Sequence, residues 1–310
     1  MKSNNLKGSL ILCLTALIWG LAFVAQSGGG ELVPPLTFNA LRAYIAAAAL
    51  YIFYKITSIK KEKHFFPEDK ALKKQSLTAG AVCGALLTVS VNFQQFGISA
   101  YPPGAAAEAR SGFITALYVV FVPIISLLLG KKANPVIWIS VLIAVAGFYL
   151  LCFSGGVSGI YTGDILVFIC AVCFACQIIS VDKYVGVTGG IKLSIMQFTV
   201  VGILSTVSAL IFERPSLSNI SAAAPQIIYL GIVSSGIGYT LQTVGQKYAE
   251  PAVASLTMSL ESVFAALGGW LISGNTLSPR ELIGCTVVFA AIIVAQLPEI
   301  ARGRKEQAQS

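Results

Sequence analysis

Ten apolar stretches follow one another along this chain, each close to the roughly 20 residues that a helix needs to cross a bilayer. They run over 9–27, 36–54, 77–100, 104–129, 136–153, 163–182, 193–212, 226–247, 252–273 and 280–298. The connections are short, so no soluble domain fits between them. Hydrophobic residues make up 56% of the 310 residues and charged residues 11%, against about 25% charged in a soluble domain. Backbone polar groups facing lipid must be satisfied within the segment, so the spans are expected to be helices. The fold class is therefore an all-α polytopic membrane protein with ten transmembrane helices.

Lysine and arginine set the orientation, because they are retained on the cytoplasmic side of short loops. With the N-terminus placed in the cytoplasm, 17 of them fall on that side and only Arg214 and Arg280 on the other. Both termini are thus expected to be cytoplasmic. The net charge of +8 is explained by this topology, and nucleic acid is not expected as a partner. The first span follows Lys2 and Lys7 and lacks a small-x-small cleavage site. It is read as a retained helix.

All seven cysteines lie in spans, so no disulfide framework is implied. Cys170, Cys173 and Cys176 form a C-x-x-C-x-x-C run with no second cysteine pair or histidine beside it. They are read as small apolar residues on a buried helix, and neither a metal nor another cofactor is expected. His64, the one histidine, sits in a lysine-rich loop. A histidine-based catalytic site or proton relay is thereby excluded, and the chain is not expected to be an enzyme.

The chain repeats itself. Gln94, Gly97 and Pro103 recur as Gln242, Gly245 and Pro251, the same Q-x2-G-x5-P spacing at an offset of 148. Gly130 and Pro135 recur as Gly274 and Pro279 at an offset of 144. The difference is about one helical turn. Gly8-Ser9-Leu10 compares with Gly163-Asp164-Ile165 at the starts of the halves. Two halves of five spans, 1–155 and 156–310, follow. Five is odd, so the second half enters the membrane from the opposite side. Inverted repeats of this kind are common in secondary transporters.

Charges at membrane depth are rare and costly, and each is a functional candidate. Four stand out: Arg42, Glu108, Arg110 and Glu261. Arg42 and Arg110 each lie about 9 Å below the outer end of their helices. Glu108 and Arg110 are two residues apart and point to different sides of one helix. A cross-helix pair of Arg42 with Glu108 is the more natural geometry. Arg42 is then either a substrate or gate contact or a helix tether. Glu261 lies about 15 Å along span nine, near the midplane. With no cation expected at its level, its carboxyl is either a site for a proton or a substrate amine, or a protonated carboxyl hydrogen-bonded to a neighbouring helix. Asn92, Gln95 and Ser99 form one stripe on span three, and Tyr239, Gln242 and Gln246 form the matching stripe on span eight. They suit a solvated cavity or interhelical hydrogen bonds. Gly80 and Gly84 offer a close-packing surface on span three, and Asp164 reads as a charge at a helix N-terminus.

These pieces together resemble the EamA-type carriers of the drug/metabolite transporter superfamily. Ile18-Trp19-Gly20 with Ala22-Phe23-Val24 is similar to that family's pattern in span one, and Asn39-Ala40-Leu41-Arg42 to its arginine motif in span two. Gly112 to Val120 with Pro123 resembles its pattern in span four. Gly147-Phe148-Tyr149-Leu150-Leu151, Gly163-Asp164-Ile165-Leu166 and Leu260 to Leu267 also fit. Two features depart from the pattern. Asn275 stands where relatives often carry an acidic residue, and Glu108 and Arg110 stand where many have uncharged ones. The resemblance implies a carrier and leaves its cargo open among amino acids, nucleobases, sugars and other metabolites.

The reading is a secondary transporter in a bacterial-type cytoplasmic membrane. It moves a small organic metabolite, an amino acid, a nucleobase or similar, by alternating access. The coupling partner is protons or a counter-substrate. The cavity is expected between spans one to four and six to nine, with spans five and ten as scaffold. Arg42, Asn92, Gln95, Glu108, Arg110, Tyr239 and Gln242 are the candidate substrate or gate contacts, and Glu261 the candidate for proton coupling. The alternative is a passive channel of the same fold.

Overall fold

The computed structural model describes residues 5–58, 64–102, 107–131, 134–152, 160–273 and 278–307. Pro103, Gly274 and Asn275, singled out by the sequence, lie outside these residues, as do Lys2, Lys60, Lys61, Lys63 and Lys132. Every regular element among the described residues is a helix. Eight helices are long and apolar enough to cross a membrane, and two shorter apolar stretches, Pro135–Leu150 and Leu282–Ala295, accompany them.

The first half comprises α1 (Asn5–Gly30), α2 (Pro35–Ser58), α3 (Lys70–Ser99), α4 (Ala107–Ala116), α5 (Tyr118–Leu128) and α6 (Pro135–Cys152). The second comprises α7 (Thr162–Thr188), α8 (Gly190–Phe212), the short connecting α9 (Leu217–Ala222), α10 (Ala224–Tyr229), α11 (Tyr239–Gln246), α12 (Pro251–Met258), α13 (Glu261–Ser273) and α14 (Pro279–Gln307). A π-helical segment, Leu230–Gly238, joins α10 to α11 into one span.

Helix packing follows a twofold pattern that exchanges the halves. α3 packs on α7, and α1 packs on the π segment and α11. α3 packs on α8, and α2 on the π segment. α1 meets α12 and α13 as α7 meets α4 and α5. The pairs α2 with α8, α6 with α14, and α4 and α5 with α13 and α12 map onto themselves. These contacts of one half thus have their mates in the other, as an inverted repeat requires.

Glycines set the closest approaches. A Cβ on Gly163 would lie 2.7 Å from Gly97 O, and one on Gly97 would strike Val167, so α3 and α7 meet nearly backbone to backbone. The mates Gly8 and Gly245 do the same for α1 and α11, with 3.1 Å from a Gly8 Cβ to Gly245 O. Gly80 and Gly84 admit Met196 and Val200 of α8. Without a hydrophobic drive between helices in lipid, such close contact is the main source of association.

Spans four and nine, unbroken in the hydropathy, are each interrupted near mid-length. Around Leu117 the bonding shortens to i→i−3, from Leu117 N to Ile114 O (3.1 Å) and Val120 N to Leu117 O (2.9 Å). Pro123, just beyond, supplies no N–H to the Val119 carbonyl and crowds it. Around Ser259–Leu260 the same shortening links Leu260 N to Thr257 O (3.3 Å) and Ser262 N to Ser259 O (3.2 Å). There the Ser255, Thr257 and Ser259 hydroxyls donate back to the carbonyls of Ala252, Val253 and Leu256, which bends helices. The two breaks fall in repeat-related helices and begin α5 at Tyr118 and α13 at Glu261.

Candidate functional site

Inside the bundle, walls from both halves enclose a cavity of about 450 Å³, its open mouth included. α1 contributes Trp19, Ala22, Phe23 and Gln26, and α2 contributes Arg42. Gln94 comes from α3, Thr115 from α4 and Tyr118 from α5. The second half supplies Phe174 and Ile178 from α7, Ser234 from the π segment, Tyr239 and Gln242 from α11, and Glu261 from α13. Among the described residues, none of α8, α6 or α14 lines this wall. Span seven, expected to line the cavity, instead backs α2 and α3.

The wall is aromatic with a few polar groups aimed inward. Tyr239 packs against Trp19 with ring centroids 4.5 Å apart and lies at 6.5 Å from Phe174. The Trp19 indole donates to the Ser234 carbonyl of the π segment at 3.3 Å, and Gly238 leaves room for that ring. Local π segments are frequent at functional sites; here one shapes the wall. Gln94 and Gln242, mates at the offset of 148, face the cavity from opposite sides. Gln94 donates to the Thr115 hydroxyl (3.2 Å), and Gln242 donates to Gln177 (3.0 Å), which donates to Gln197 (3.3 Å).

Arg42 and Glu261 bring opposite charge to one cavity. Both are buried, at 4% and 3% exposure. Arg42 donates to the Gln26 side-chain oxygen at 3.0 Å. This replaces the expected pair of Arg42 with Glu108: Gln26, one helix away, takes the guanidinium, while Glu108 sits half-buried at the start of α4 and off the wall. Gln242 Oε1 is buried without a hydrogen-bond partner among the described residues, and the buried Tyr118 hydroxyl and Glu261 carboxyl interact with each other. Buried polar atoms left unpaired cost free energy unless something completes them. Gln242 Oε1, on the same wall as Tyr118 and Glu261, marks a place for a polar guest.

Asn92 and Gln95 lie elsewhere than expected. Asn92 accepts from Asn39 (2.9 Å) and donates to Ser205 (2.9 Å), tying α3 to α2 and α8. Gln95 donates to the Gln26 backbone carbonyl at 3.1 Å. Both are interhelical bonds away from the cavity wall, the other reading their stripe allowed. A polar stripe alone does not distinguish the two.

Arg110 also stands off the wall. Its guanidinium grips Asp164 of α7 through Nε to Oδ1 (3.0 Å) and NH2 to Oδ2 (2.6 Å). The Tyr101 hydroxyl donates to Asp164 Oδ1 at 2.8 Å, and the Tyr161 backbone N–H to Oδ2 at 2.9 Å. The guanidinium also lies over the Tyr161 ring, 4.7 Å from its centroid. Asp164 therefore both caps α7 and joins α7 to α4. Burial, then the bond to the Asp164 carboxylate, pushes the Tyr101 phenol above its ordinary range, so it remains a donor.

Comparison with known proteins agrees with this architecture. The chain matches the EamA-like transporter family over residues 6–153 and again over 161–296. It is 28% identical over 295 residues to an uncharacterized transporter of Archaeoglobus fulgidus, covering 95% of this chain and 87% of that protein. It is 24% identical over 289 residues to the uncharacterized inner membrane transporter YedA of Escherichia coli strain K12, covering 91% and 88%. A solved crystal structure shares the fold, with a TM-score of 0.74 at 20% identity over 94% of this chain and 96% of that one. The chain is a multi-pass membrane transporter and belongs to the EamA-like transporter family.

Proposed function

We propose that this transporter is a secondary carrier for a small metabolite bearing both an acidic and an amino group, of which an amino acid is the simplest example. The observation that carries this reading is the placement of Arg42 and Glu261 on one buried cavity wall among Trp19, Tyr118, Phe174 and Tyr239. A guanidinium holds a carboxylate with charge-assisted, two-pronged geometry. Glu261, beside the Tyr118 hydroxyl, takes the ammonium group of the cargo or a proton in its place. The aromatic faces accept the cargo's apolar part, and Gln94 and Gln242 add hydrogen bonds.

In this reading the halves 1–155 and 156–310 exchange conformations, so that the cavity opens first to one side and then to the other. The breaks at Leu117 and Ser259–Leu260 are the flexible points of the two wall helices. The lysine-rich loops and both termini face the cytoplasm of a bacterial-type cell. Protons or a counter-substrate drive accumulation. The test is a ligand panel read by thermal stability of the purified protein. Ligand at about 100 times its dissociation constant adds roughly 2.7 kcal/mol. Amino acids are expected to stabilise the protein, and their amides and N-acyl forms are not. Stabilisation by sugars or nucleobases alone would contradict the charge assignment.

A further inference from the structure

The two ends of the bundle match in backbone and differ in charge. At the lysine-poor end, Gly97 and Gly163 bring α3 and α7 together, with Tyr101, Arg110 and Asp164 stacked on that contact. At the lysine-rich end, their mates Gly245 and Gly8 bring α11 and α1 together in the same way. Here the mate of Asp164 is Ser9, and the mate of Tyr101 is Ala249. Arg110 corresponds to Ala254 or Met258 by the two offsets found along this stretch, and both are uncharged. The Ser9 hydroxyl is buried without a hydrogen-bond partner among the described residues. The nearby cation, Lys7, lies over the Tyr248 ring on the exposed surface.

The cavity lies between these junctions. Gln94, one turn before Gly97, Thr115 of α4 and Phe174 of α7 line it below the first. Trp19 of α1 and Gln242 of α11 line it above the second. In a carrier built from inverted repeats, equal halves would make the two opposite-facing states alike in energy. Any difference between mates sets the balance. Asp164 uses both oxygens on four donors from α4, the α3–α4 connection and the chain before α7, and its side chain is 11% exposed. Parting that junction breaks a two-pronged ion pair and the Tyr101 bond to the same carboxylate, a cost that water only partly offsets. Among the described residues no ion pair spans the contact at Ser9 and Ala249; the tie at that end is Lys131 to Asp182 of α7, whose lysine is 53% exposed.

Resting on the carrier reading above, we infer that the Arg110–Asp164–Tyr101 cluster is a latch on the lysine-poor face that biases the resting carrier to stay closed there and open toward the lysine-rich face. Arg110 and Asp164 act through the conformational balance and touch no cargo.

The test reads accessibility without any substrate. The seven native cysteines are replaced, and Ser234→Cys places a single thiol on the cavity wall. A membrane-impermeant maleimide is applied to right-side-out and to inside-out vesicles. With the latch intact, labelling is faster from the lysine-rich face. Arg110→Gln is expected to raise the rate from the lysine-poor face by about fivefold or more relative to the other face, the lower range of conformational couplings. Tyr101→Phe, which removes one of the donors, is expected to shift the ratio the same way by less. If both variants keep the parent's labelling ratio while the melting temperature falls, the cluster is only a structural tie, and an unchanged ratio in both overturns the inference whatever the melting temperature. If Arg110→Gln fails to fold, Tyr101→Phe alone decides. Labelling from one face only, whatever the variant or cargo, would instead refute alternating access itself.

Discussion

Tyr118 and Glu261 are the first residues of the second halves of two broken helices, and they are neighbours on one cavity wall. The helices that carry them are mates in the inverted repeat. Movement at either break therefore displaces a polar group that faces the cavity. This ties the shape of the bundle to the contents of the cavity.

Glu261→Gln keeps the volume of the side chain and removes the ionisable group. An amide oxygen can still accept from the neighbouring Tyr118 hydroxyl, so the melting temperature is expected to hold. Accumulation driven by an imposed proton gradient in proteoliposomes is expected to fall to the equilibrium level. Gradient-driven accumulation at the parent rate would remove Glu261 from the mechanism.

Arg42→Lys keeps the charge but not the planar fork that binds a carboxylate in two places. A lost charge-assisted hydrogen bond is worth about 2 kcal/mol, roughly thirtyfold in affinity. Arg42→Lys and Arg42→Ala are both expected to raise the half-saturating cargo concentration, the alanine variant more. Arg42→Ala also leaves Gln26 without its donor. Initial-rate uptake over a concentration series reads the difference, and unchanged saturation in both variants would place the acidic group of the cargo elsewhere.

Gly97→Ala puts a methyl group into the α3–α7 contact, where Val167 and the Gly163 carbonyl already sit. Overpacking of this kind costs about 1–3 kcal/mol. Gly28→Ala in α1 meets nothing within 4 Å and gains helix propensity, about 0.5–1 kcal/mol. Detergent melting curves are expected to move down for the first variant and to hold or rise for the second. Equal shifts would mean that backbone contact does not hold the repeat interface.

Much of this fold could be read in the residue order because lipid restricts the choices. Apolar length marked the spans, and Q-x2-G-x5-P marked repeat mates that the structure sets on mirrored sites, with Gly97 and Gly245 in the junctions and Gln94 and Gln242 on the wall. Arg42 and Glu261 were visible because charge at depth is costly. Other features left no such trace. Trp19, Tyr118 and Phe174 look like lipid-facing residues until the fold turns them inward. Hydropathy does not register the hydrogen-bond pattern, so the breaks at Leu117 and Ser259–Leu260 were hidden, although Pro123 hinted at one. Asn92 resembled a cavity residue because a helix stripe does not say what it faces. Arg110 and Asp164 are 54 residues apart, and no local pattern links them.

The most direct test of the central claim is counterflow in proteoliposomes. Vesicles holding the protein are loaded with excess unlabelled amino acid, and the entry of a labelled trace is followed. A carrier with one cavity reached alternately from two sides predicts a transient accumulation of label above equilibrium, abolished in Arg42→Ala. Label that only equilibrates, at a rate set by its gradient and indifferent to the internal load, would contradict alternating access and favour a passive channel.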